Sequence, residues 1–128
     1  MSTKDLIKIL LLLGGILEII IGVLFMFLDL LFEEVGLENI PIFTQMAGTF
    51  LLCYGILLIY SIRDVDKFII IPLVNILVHI IMIVFSIINS FEYLQFYIIL
   101  IIAIPYDFLW SLLLIILLKK EGLIFKKS

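Results

Sequence analysis

The chain has 128 residues, 66% of them hydrophobic and 15% charged, with a mean hydropathy of +1.42 and a net charge of −3. Soluble domains are nearer half apolar and about a quarter charged, so the apolar excess excludes a water-soluble globule. The eight Lys and Arg form no basic patch with interleaved aromatics, so nucleic acid is not an expected partner. A single cysteine, Cys53, excludes an intrachain disulfide and a Cys-based metal cage.

Four apolar runs follow one another: 6–31, 40–62, 68–89 and 94–118. Each exceeds the ~20 residues that a helix needs to cross a ~30 Å hydrocarbon layer. No segment alternates polar and apolar residues as a β-barrel strand would, so helices are the way to satisfy the backbone in lipid. The first run follows Lys4 and contains Lys8, a start that signal peptides share. It is too long for one, and bulky acidic sequence from Asp29 to Glu38 follows it instead of a small-residue cleavage site. It is expected to be a retained helix. The connections, 32–39, 63–67 and 90–93, are short, which makes consecutive helices antiparallel neighbours. The expected fold is all-α: one domain over 1–128, a four-helix antiparallel transmembrane bundle.

Charge sets the expected orientation. The basic residues fall at Lys4 and Lys8, at Arg63 and Lys67, and at Lys119, Lys120, Lys126 and Lys127. In a bundle of four helices these three places share one side, while Asp29, Glu33, Glu34, Glu38 and Glu92 take the other. The positive-inside rule then puts both termini in the cytoplasm of a multi-pass cell-membrane protein.

Ionisable groups inside hydrocarbon are costly, and those that occur face other protein groups. Three stand out: Glu18, His79 and Asp107. At ~1.5 Å per residue, Glu18 lies ~15 Å from Lys8, His79 ~18 Å from Lys67 and Asp107 ~18 Å from Lys119, with Tyr54 ~14 Å from Arg63. Half the layer is ~15 Å, so each helix contributes one polar group near the midplane.

Helical phase groups them further. Gly15 and Gly22 share a face with Glu18; Gly48 and Gly55 repeat at seven on the second helix, with Gln45 one turn before Gly48. Small residues allow close approach in lipid, so these four glycines are expected at helix contacts. On the third helix Asn75, His79, Met82, Ser86 and Asn89 form a polar seam. On the fourth, Ala103, Asp107, Trp110, Ser111 and Leu114 form the matching stripe. Pro72 and Pro105 lie within two turns of the ionisable residues, and each is expected to free a carbonyl one turn earlier.

Two readings of the cluster stand side by side. It is interhelical glue, at ~1 kcal/mol per hydrogen bond, or it is a site that holds a small or lipid-like ligand or relays protons. Candidate site residues are Glu18, His79, Asp107, Tyr54, Asn75 and Trp110. Trp110 is read as packing, with the alternative of an aromatic face that holds a cation beside a carboxylate. One histidine builds neither a zinc nor a bis-histidine haem site alone, so no metal is expected and no cofactor is assigned. Cys53 is read as an inert packing residue, Tyr93, Phe96 and Tyr97 as interface anchors, the acidic Glu33–Glu38 segment as a solvated loop, and Lys119–Ser128 as a tail suited to anionic lipid.

The first helix with its internal acid (Gly15, Glu18, Gly22) and the second running from Ala47-Gly48 through Gly55 to Arg63-Asp64 resemble the small DoxX-like membrane proteins, BphX-like ones among them. The resemblance spans the chain in outline, and it implies a four-helix fold in a quinone or thiol redox context. A second resemblance, to emopamil-binding-type proteins, concerns residue types alone (Glu, His, Asp, Trp), and no catalytic role carries over. The expected function is a binding or accessory module. The alternatives are an intramembrane enzyme using acid–base chemistry on a lipophilic substrate and a structural subunit of a membrane complex. Expected partners are the bilayer, a small lipophilic ligand, and further copies or a larger complex.

Overall fold

A computed structural model of the protein describes residues 1–27, 41–92 and 97–125. Among them are four helices and no strand: α1 (Thr3–Phe27), α2 (Pro41–Ser61), α3 (Ile70–Glu92) and α4 (Tyr97–Lys120). All four are long and apolar enough to cross a membrane. Their surfaces are the reverse of a soluble protein's. Leu13, Phe50, Phe85, Ile102 and Leu109 are each at least half exposed, whereas Glu18, Asn75, His79, Asp107 and Ser111 are buried. Apolar side chains cover the outside and polar ones are withdrawn, which suits hydrocarbon as the surrounding solvent. The chain is an all-helical, multi-pass membrane protein. The acidic segment with Glu33–Glu38, the anchors Tyr93 and Phe96, and Lys126 and Lys127 lie outside the described residues.

The helix ends show why the boundaries differ from 6–31, 40–62, 68–89 and 94–118. α1 begins three residues early because Ser2 and Asp5 form a capping box. The Asp5 amide donates to Ser2 Oγ at 3.1 Å and the Ser2 amide to Asp5 Oδ2 at 2.9 Å. Two of the donors that a helix start leaves unsatisfied are thereby paired. α4 runs on to Lys120 and closes in a Schellman turn. There the Gly122 amide donates to the Lys119 carbonyl and the Leu123 amide to the Leu118 carbonyl, both at 3.0 Å. Gly122 takes φ 74°, a conformation that glycine enters without a Cβ clash.

The chain packs as two compact units, Lys8–Val65 and Met1–Ile7 with Asp66–Ser128. In the first, α1 and α2 run antiparallel along the glycines. A Cβ built on Gly22 would stand 2.6 Å from the Leu52 amide and 2.7 Å from the Gly48 carbonyl oxygen; one on Gly15 would stand 2.7 Å from the Gly55 carbonyl oxygen. Backbone touches backbone, which no larger residue permits. In the second unit α3 packs on α4, and an ion pair joins Lys4 to Asp66.

Two expectations on α2 are corrected. Gln45 is exposed because, three residues before Gly48, it lies off the buried line of Gly48, Gly55 and Leu58. Cys53 is likewise exposed, so it faces outward instead of packing between helices.

Candidate functional site

α3 buries one stripe. Pro72, Asn75, Ile76, His79 and Ser86 are withdrawn from the surface, and Ile83 is partly so. Met82 is 50% exposed, which corrects its place in the seam: four residues after His79, Ile83 continues the line that Met82 leaves. The side chain of Asn89 lies outside the described residues. The facing stripe of α4 contains Asp107, Trp110, Ser111 and Leu114 and continues to Leu118.

These two stripes form two polar rungs. His79 Nδ1 lies 2.7 Å from Asp107 Oδ1, with each residue 8% exposed. One turn away, Trp110 Nε1 donates to Asn75 Oδ1 at 2.9 Å. The geometry follows from spacing. Asn75 and His79 are four apart on α3, Trp110 and Asp107 three apart on α4, and the helices are antiparallel, so each residue meets its opposite number. Tyr106, which periodicity left off the stripe, completes an aromatic wall. Its ring lies edge-on to His79 at 6.1 Å and stacks on Trp110 at 6.1 Å, and Trp110 lies 6.3 Å from His79. The signal was its place four residues before Trp110, which puts both rings on one side of α4.

Glu18 and Tyr54 belong to the α1–α2 hairpin. Glu18 is 6% exposed between Gly15 and Gly22, and its carboxylate is close enough to act electrostatically on the Tyr54 hydroxyl. Glu18 and Tyr54 lie within the Lys8–Val65 unit, and Asn75, His79, Asp107 and Trp110 lie within the other.

The prolines act differently from each other. Pro105 lies inside α4, where its ring removes a donor from the ladder. Pro72 lies in the first turn of α3, and the Phe68 carbonyl one turn earlier accepts from the Ile71 amide at 2.9 Å. That carbonyl is not freed, because a first-turn proline lacks an amide that would have had no helical partner anyway.

A carboxylate on Nδ1 fixes the orientation of the imidazole ring, and a further proton can be taken up by the pair at Nε2 or at a carboxylate oxygen. With the imidazole neutral and Asp107 ionised, the pair carries one negative charge; with one further proton it carries none. Burial between apolar helices lets such a pair hold a single proton away from bulk water. Among the described residues no group of three or more His, Cys, Asp or Glu is placed to hold a metal ion. No family model, curated protein or solved structure matches the chain.

Proposed function

We propose that the protein is a membrane-embedded binding or accessory module whose His79–Asp107 pair takes up and releases a proton within the bilayer. The observation that carries this reading is the 2.7 Å contact between His79 Nδ1 and Asp107 Oδ1, with both residues buried mid-helix. Asn75 and Trp110 brace the pair by tying α3 to α4 one turn away. The distribution of basic residues supports a cell-membrane orientation with both termini in the cytoplasm. The DoxX-like resemblance adds a redox setting, in which proton uptake accompanies electron transfer by a partner.

Infrared difference spectra of the protein in lipid nanodiscs, taken between acid and alkaline pH, test the reading. The parent is expected to show a carboxyl and an imidazole band that change together, and Asp107→Asn and His79→Leu should each remove the joint change. Identical spectra from parent and variants would leave the pair as interhelical glue and end the proposal. A second reading, an intramembrane enzyme, draws on the same contact, because a carboxylate-oriented imidazole is a competent general base. Turnover of a lipophilic substrate that is lost in His79→Leu would favour it.

A further inference from the structure

Two other helical hydroxyls bond back to their own helix. Ser61 Oγ donates to the Leu58 carbonyl at 2.7 Å and Thr49 Oγ1 to the Gln45 carbonyl at 2.8 Å. This is the usual refuge of a serine or threonine in an apolar helix. Ser111 behaves differently. It is 4% exposed, and its Oγ meets no hydrogen-bond partner among the described residues. A buried hydroxyl left without a partner costs free energy, and such a group calls for an explanation. The carbonyl it would normally use is that of Asp107, four residues earlier on the same stripe.

We infer that Ser111 Oγ and the Asp107 carboxylate hold one ordered water between them, and that this water is the proton's last station before the His79–Asp107 pair. Side chains four apart on a helix are neighbours on one face, which brings the Ser111 hydroxyl and the Asp107 carboxylate within reach of one bridging water that bonds to each at ~2.8 Å. Buried waters persist where polar partners such as a hydroxyl and a carboxylate converge. In the transfer the water accepts a proton from an incoming hydronium and releases another to the carboxylate, so the water is unchanged and the pair goes from one negative charge to none. Beyond Ser111 the stripe continues as Leu114 and Leu118, both fully buried, so the polar part of the stripe ends at Ser111. The inference rests on the proton-carrying reading for the water's role, but its binding is measured separately.

The test is an infrared difference spectrum at one fixed pH between protein equilibrated in ordinary water and in oxygen-18 water. The parent is expected to show an isotope-shifted O–H band from an ordered water. Ser111→Ala should lose it, and Ser111→Thr, which keeps the hydroxyl, should restore it. An isotope-shifted band that persists in Ser111→Ala overturns the inference, and so does a parent without such a band. Because pH does not change, failure of the proton-carrying proposal leaves this readout intact. Conversely, loss of the water with a normal pH-difference spectrum removes the station and not the pair.

Discussion

Gly15 and Gly55 lie face to face on the α1–α2 hairpin with their contacts reciprocated. A Cβ on Gly15 would stand 2.7 Å from the Gly55 carbonyl oxygen, and one on Gly55 would stand 2.5 Å from that of Gly15. Gly22 and Gly48 repeat the arrangement seven residues along, at 2.7 and 2.5 Å. Ordinary contacts of a Cβ with oxygen are longer, so even a methyl group requires the two backbones to separate.

Gly48→Ala and Gly15→Ala should therefore each destabilise the α1–α2 pair by about 1–3 kcal/mol, the usual range for overpacking a close contact. Leucine at either position should cost more. Unfolding in mixed micelles with rising denaturing detergent measures this. Variants that unfold at the parent's midpoint would show that the helices do not touch along this line.

The fold class and the glycine contacts were legible because long apolar runs and small residues at seven-residue spacing have few other uses in lipid. Helical phase is less legible where the buried line runs through apolar residues. Met82 fits the seam by its spacing of seven from Asn75, but the burial passes through the wholly apolar Ile83, which polarity cannot flag. Tyr106 lies beside the stripe next to Asp107, and its large ring reaches the site from the flank. The start of α1 is set by Ser2 and Asp5, a short polar signal that lies ahead of the apolar run and is invisible to hydropathy.

His79 and Asp107 should be energetically coupled. In the cycle His79→Leu, Asp107→Asn and the double variant, the two single losses should exceed the double loss by about 0.5–3 kcal/mol, the range for residues in direct contact. Each single change leaves a buried polar group without its partner, and the double change removes both. Detergent unfolding midpoints supply the energies, and strict additivity would mean that the 2.7 Å contact contributes nothing.

Orientation can be read chemically. Cys53 is free and exposed, so it is first replaced by serine to give a silent background. A cysteine at position 34 should then react with a membrane-impermeant reagent added outside intact cells, and one at Ser2 should react only after lysis. The opposite pattern would reverse the positive-inside assignment.

Trp110 is the chain's single tryptophan, and its ring lies 6.3 Å from His79, so its fluorescence reports on that imidazole alone. An imidazolium accepts an electron from an excited indole, whereas a neutral imidazole does so poorly. Acidification that protonates His79 should therefore quench the emission, and return to alkaline pH should restore it. His79→Leu should abolish the pH dependence while keeping the emission. Trp110→Phe removes the reporter and the bond to Asn75, and should cost about 1–3 kcal/mol for the acceptor left buried. Emission of equal strength across the whole pH range in the parent would mean that His79 keeps one protonation state, and the pair would then be a fixed tie between α3 and α4 with no proton to pass on.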